Sequence, residues 1–246
     1  MAHAWRLVRS YFFMFQVYAS MAVIGIGLFP VALYSQTGAR WVCKLYCRWV
    51  IWSARWIVGI RSEVRGTPPQ DEVMIAAKHQ SFFDILLIFN AVPSGKFIMK
   101  RELLFTPIIG QYGMRIGCVP VNRGKRGAAI RKMADDVAKG RGHPGQLVIY
   151  PQGTRVAPGV KVPFKSGTAV LYKQLQQDCV PVATNVGVFW PRNDTFKKPG
   201  LAVVEFLPRI DKGIERDAFM EQLEEQVETA SDALMLEAGF DLDAVR

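Results

Sequence analysis

The chain has 246 residues, half of them hydrophobic, which is enough for a real core and excludes a disordered or low-complexity chain. Its formal net charge of +10 is uneven: residues 1–60 hold six Lys/Arg and no acid, whereas residues 205–246 hold 4 bases against 12 acids. A basic body with an acidic tail points to an anionic partner, and the neighbouring apolar segment favours anionic lipid over nucleic acid.

No charged residue lies between Ser10 and Ala39, and Tyr11 to Tyr34 is nearly all apolar, broken by Gln16, Ser20 and Pro30. As a helix this run spans ~36 Å, enough for a hydrocarbon core of ~30 Å. Arg6 and Arg9 precede it, as in a signal peptide, but the run exceeds the usual ~7–15 residues and no small-x-small cleavage site follows. An uncleaved membrane segment is expected. Pro30 and Gly38 supply a break, so a helical hairpin competes with a single span. In residues 39–60, Arg40, Lys44, Arg48 and Arg55 share one helix face, and Trp41, Trp49, Trp52 and Trp56 fill much of the rest. That pattern describes a helix lying among lipid headgroups. Cys43, Cys47, Cys118 and Cys179 form no C-x-x-C and no zinc pattern, so free thiols are expected.

Residues 61–70 read as a polar connection ending in Pro68-Pro69. Beyond it, strands are expected near 73–77, 96–100, 118–121, 146–150, 180–188 and 201–207, and helices near 82–92, 102–115, 125–139, 166–178 and 215–237. That alternation predicts an α/β fold with a mostly parallel central sheet flanked by helices. The expected division is an anchor over 1–60, made of an apolar helix and a basic interfacial helix, and an α/β domain over 61–246. The last helix should dock as an amphipathic cover through Phe219, Leu223, Val227, Leu234 and Leu236, and is assigned no chemistry.

Between the first strand and helix of that body lies Lys78-His79-Gln80-Ser81-Phe82-Phe83-Asp84. Ser81 and Asp84 have the spacing of a capping box, which leaves His79 unexplained. Asp84, in the first turn, can reach back to one imidazole nitrogen and leave the other as a base. A histidine and carboxylate with no free nucleophile beside them suit activation of a substrate hydroxyl. Further on, Arg123 and Gly153 each follow an expected strand, where open α/β sheets place ligands and arginine forks bind phosphate.

Four blocks in order resemble the glycerolipid acyltransferase family, best known for its 1-acylglycerol-3-phosphate acyltransferases. They are His79 to Asp84; Gly117-Cys118-Val119-Pro120-Val121-Asn122-Arg123, preceded by Lys100-Arg101-Glu102-Leu103; Tyr150-Pro151-Gln152-Gly153-Thr154-Arg155; and Val180-Pro181-Val182. Phe164-Lys165-Ser166-Gly167 resembles the family's turn into the next helix. The resemblance implies that His79 is the base and Asp84 its partner. It implies that Arg123, Gly153, Thr154 and Arg155 hold the acceptor's phosphate, with Lys100, Glu102, Gln152 and Lys165 as supporting candidates.

The implied reaction is transfer of an acyl chain to the sn-2 hydroxyl of lysophosphatidic acid, giving phosphatidic acid, with no metal and no other cofactor. The co-substrate is an acyl carrier protein or coenzyme A thioester, and the leftover basic residues could meet either. The expected location is a membrane, read as a bacterial inner membrane with the site facing the cytoplasm. The family usually has Glu where this chain has Gln152, and Ser or Thr at Val156. Another lyso-lipid, such as a lyso-ornithine lipid, is therefore the rival acceptor, and a non-catalytic lipid-binding protein the rival class. Nucleic acid is not expected as a partner.

Overall fold

The protein is described from a computed structural model, covering residues 2–121, 135, 145–192 and 194–245. The helix expected near 125–139, and Asn122 and Arg123, lie outside the described residues.

The N-terminal segment folds as a hairpin: α1 (Ala2–Gly27), a short α2 (Phe29–Tyr34) and α3 (Gln36–Ser53), which tightens into a π-turn over Ala54–Val58. Tyr11 to Tyr34 is thus not one helix. Pro30 sits in the first turn of α2, where its missing N–H costs nothing, and Ser35 caps α3 by accepting the Gly38 N–H at 2.9 Å. The stretch His3–Gly27 is long and apolar enough to cross a membrane by length and composition.

Polar residues join the two long helices. Gln16 donates to Ser53 Oγ at 2.9 Å and accepts from Trp49 Nε1 at 2.9 Å, and the Arg9 guanidinium donates to the carbonyls of Ile57 and Trp56. In an apolar setting such bonds hold one helix to another. The outward faces carry Phe15, Tyr18, Val23, Trp41, Trp52 and Trp56, all exposed.

The seven strands among the described residues form one sheet in the order β1-β7-β6-β2-β5-β3-β4. They are β1 (Ile60–Arg65), β2 (Met74–Ala77), β3 (Lys96–Lys100), β4 (Val119–Val121), β5 (Leu147–Ile149), β6 (Cys179–Thr184) and β7 (Gly200–Phe206). β6, β2, β5, β3 and β4 run parallel, while β7 lies antiparallel to β6 and pairs in parallel with β1. The sheet is therefore mostly parallel, as expected. β1 overlaps the expected polar connection over 61–70: only Ile60 of its six residues is buried, and as an edge strand it needs little apolar pattern. The strand expected over 180–188 stops at Thr184 and turns into a short helix, α7 (Val186–Phe189).

β2 is buried on both faces, and its alternation assigns each residue to a layer. Ile75 and Ala77 face α4 (Phe83–Ala91) and the hairpin, with Phe13, Val42 and Val50 in the same core. Met74 and Ala76 face α6 (Gly167–Leu175) and α8 (Arg216–Glu237). Phe219, Leu223 and Val227 of α8 are fully buried there, each worth about 1.5–3 kcal/mol of burial. Leu236 is 58 % exposed and takes no part in the cover, and the buried face of α8 includes Glu228 and Ser231 instead.

Between β3 and β4, a 3-10 turn over Arg101–Phe105 leads into α5 (Ile109–Arg115). Ile108 turns the chain there with φ 66° and ψ −63°, a γ-turn that a β-branched residue adopts only under strain. Its side chain rests on Gly25 of α1, whose carbonyl accepts from Tyr112 Oη at 2.9 Å. A Cβ on Gly25 would lie 2.6 Å from Ile108 Cγ2. Gly25→Val should destabilise the protein by about 1–3 kcal/mol through overpacking. Its Tm in detergent should fall by several degrees, and an unchanged Tm would mean that α1 does not dock there.

Candidate active site

The parity that places Ala77 toward α4 places His79 on the same side, just past the C-terminal end of β2. Asp84 lies in the first turn of α4 and is fully buried. Its Oδ1 is 2.9 Å from His79 Nδ1. Its Oδ2 accepts the backbone N–H groups of Gln80 at 2.9 Å and Ser81 at 2.7 Å, and Ser81 Oγ accepts the Phe83 N–H at 3.2 Å. The capping-box expectation holds in part: the N-cap of α4 is Phe82, without a side-chain cap bond, while Ser81 Oγ accepts the Phe83 N–H two residues on, and the Asp84 carboxylate both accepts the Ser81 N–H and orients the histidine. Three donors make burial of the carboxylate tolerable. A carboxylate only accepts, so Nδ1 carries the proton and Nε2 keeps its lone pair. Ser81 is buried and engaged with the Phe83 N–H, which leaves it no role as nucleophile.

Tyr150 opens the third of the four blocks. Its ring stacks on His79 with centroids 3.9 Å apart and planes at 19°, and Phe97 stacks behind it. Burial, then the nearby Asp84 carboxylate, push its hydroxyl well above the ordinary tyrosine value, so it stays neutral. That hydroxyl lies beside Asp84 without meeting hydrogen-bond geometry.

β5 is the neighbour of β2, so the turn after it falls beside His79. Val156 N–H donates to the His79 carbonyl at 2.8 Å, which ties the turn to the histidine's own backbone. Val156 is buried, which suits its apolar side chain. Gly153 has φ +69°, and a Cβ there would stand 2.7 Å from Lys165 Nζ. The left-handed φ favours glycine, and a side chain there would have to push the flexible end of Lys165 aside. Arg155 follows, and Arg192, from the loop after α7, donates to Thr154 Oγ1 and the Arg155 carbonyl, both at 3.3 Å. Gly153, Thr154, Arg155 and Lys165 are thus gathered with Arg192, a third cation that the sequence reading did not single out. It comes from a loop with no motif of its own.

Lys100 ends β3 and pairs with Glu102 at 3.3 Å, both largely exposed. They lie two strands, about 10 Å, from β2. The fourth block forms β6, the other neighbour of β2: Pro181 aligns with Ala76, and Val182 accepts the Lys78 N–H at 2.9 Å. Gln152 is buried and donates to Val162 O at 3.3 Å and Glu228 Oε1 at 3.2 Å. The same parity turns Lys78 to the far face of the sheet, where its Nζ meets Glu228 Oε1 and Oε2 at 2.6 and 2.7 Å. The described residues contain no cluster of His, Cys, Asp and Glu that could hold a metal, and the four cysteines are free.

An imidazole with a carboxylate behind it and cations a short way along the sheet edge is suited to an enzyme that activates a hydroxyl on an anionic substrate. Comparison with known proteins narrows this class. A family model described as Acyltransferase matches residues 45–185, more than half of the chain, and the chain belongs to that family. It is 29% identical over 205 residues to a 1-acyl-sn-glycerol-3-phosphate acyltransferase of Pseudomonas aeruginosa, covering 82% of this chain and 80% of that one. It is 31% identical over 167 residues to the human beta form, covering 66% of this chain and 60% of that one. Among solved structures, the 1-acyl-sn-glycerophosphate (LPA) acyltransferase PlsC of Thermotoga maritima superposes with a TM-score of 0.79 at 21% identity, covering 95% and 98% of the two chains. At that identity the likeness concerns the fold.

Proposed function

We propose that this chain transfers an acyl group from a thioester to the sn-2 hydroxyl of lysophosphatidic acid, forming phosphatidic acid. The observation that carries this reading is the His79–Asp84 pair at 2.9 Å in a chain of the Acyltransferase family. His79 Nε2 takes the hydroxyl proton as the oxygen attacks the thioester carbonyl, and a C–O bond forms. The tetrahedral intermediate collapses with cleavage of the C–S bond, and the imidazolium returns its proton to the departing thiolate. Asp84 stabilises the imidazolium between those steps. That balance calls for no metal or redox cofactor.

Arg155, Lys165 and the Gly153–Thr154 backbone hold the phosphate, with Arg192 beside them and Arg123 as a further ligand. Residues 1–60 attach the enzyme to the membrane, and residues 61–246 carry the chemistry at its cytoplasmic side, in bacteria the inner membrane. The donor is an acyl carrier protein or coenzyme A thioester.

The test offers labelled acyl thioesters, with several lyso-lipids, to detergent-purified protein. Transfer to lysophosphatidic acid is expected, and transfer to no acceptor would refute the reading. Arg155→Ala should raise the KM for lysophosphatidic acid about 10–100-fold, the loss of one charge-assisted contact of about 1.5–3 kcal/mol. Equal transfer by parent and variant to a phosphate-free lyso-lipid would fit. Equal KM for lysophosphatidic acid would remove Arg155 from the phosphate site.

A further inference from the structure

The two halves of the site are tied together twice. Through the backbone, Val156 N–H reaches the His79 carbonyl at 2.8 Å. Through side chains, Glu228 of α8 holds Lys78, the neighbour of His79, with both carboxylate oxygens at 2.6 and 2.7 Å. The same Oε1 accepts from Gln152, the neighbour of Gly153, at 3.2 Å. All three side chains are buried. Two turns further along α8, Met235 Sδ meets Gln80 Nε2 at 3.4 Å, so α8 grips both residues that flank His79.

We propose that Glu228 is a positioning residue: it sets the spacing between the base at the end of β2 and the cationic turn at the end of β5. This rests on the proposed function for its meaning, though not for its geometry. An amphipathic cover needs apolar residues only, and a carboxylate in that cover would be costly unless paired. Here it is paired with two residues that each adjoin a part of the site. One carboxylate, one ammonium and one amide share the space, so the charge is balanced only while position 152 stays neutral or position 228 gives up its charge.

A charge exchange tests this. Glu228→Gln leaves a buried ammonium without its counter-ion, and Gln152→Glu sets two carboxylates against one ammonium. Each should lower kcat/KM about 10²-fold, mostly in kcat, because the acceptor's phosphate contacts remain. The double variant Gln152→Glu/Glu228→Gln restores one carboxylate, one ammonium and one amide, and should return to within about tenfold of the parent. Where a single variant fails to fold, Gln152→Met keeps the ion pair and removes the amide's bonds to Glu228 and to the Val162 carbonyl. It should lower kcat about 5–10-fold in a protein that still folds. The rate at which diethyl pyrocarbonate modifies His79, against a His79→Ala control, reads the displacement without turnover. It should change in each single variant and return in the exchange. Single variants with parental kinetics and His79 reactivity, or an exchange whose loss is the product of the single losses, would overturn the positioning role. Absence of turnover in the parent would count against the proposed function alone.

Discussion

Replacing His79 with alanine should lower kcat/KM by about 10²–10⁴-fold, the usual contribution of a positioned general base. No other described side chain stands in for it. Tyr150 is held neutral by burial, and Ser81 is engaged with the Phe83 N–H. The fold should survive, because the bond from Val156 uses the His79 backbone carbonyl, which alanine keeps. The stack on Tyr150 is lost, worth about 0.5–1.5 kcal/mol, and so is the Nδ1 donor to Asp84 Oδ1, while the Gln80 and Ser81 N–H groups still hold Oδ2. The measurement is steady-state transfer to lysophosphatidic acid beside a thermal melt. Parental turnover in a folded variant would refute the role of His79.

Asp84→Asn should cost nearly as much, about 10³–10⁴-fold in kcat, with the fold close to parental. The asparagine oxygen can still accept the N–H groups of Gln80 and Ser81. Its NH₂ then faces His79 Nδ1, which must accept, so the ring proton moves to Nε2 and the lone pair needed for catalysis is gone. Asp84→Ala should behave differently. It loses the cap as well, at about 0.5–2 kcal/mol by analogy with cap removal, and leaves two buried N–H groups unmet. Comparing the two variants separates tautomer control from helix capping. An Asn variant with parental kcat would leave Asp84 only its structural role.

The local part of this site was legible in the sequence. Ser81 and Asp84 act within one helical turn, so a spacing of three residues carries their meaning, and His79 stands out as the residue the cap does not explain. The sheet was legible where strands are buried on both faces, as in Met74–Ala77, and not where an edge strand is polar, as in Ile60–Arg65. Arg192 and Glu228 were hidden for another reason. Each reaches the site from a distant segment, and neither surrounding sequence carries a pattern that says so. Gln152 is the instructive case. Its departure from the family's Glu raised a question about the acceptor, yet its amide is buried and engaged with Val162 and Glu228. The change belongs with the support of the turn and leaves lysophosphatidic acid the favoured acceptor. Gln16 looked like an interruption of an apolar run and is the bond between α1 and α3.

The edge pairing of β1 with β7 sets an order of events during synthesis. Ile60 waits for Gly200, Met74 for Cys179, and Lys78 for Glu228. At roughly 5–20 residues per second, the ribosome needs about 7–30 s to deliver the partner of Ile60 after Ile60 itself. The hairpin, whose two long helices are bonded to each other through Gln16, leaves the ribosome long before any sheet can close around β2. It can thus find a bilayer while the body is still unfolded, and the site that modifies lipids assembles only once its last helix arrives.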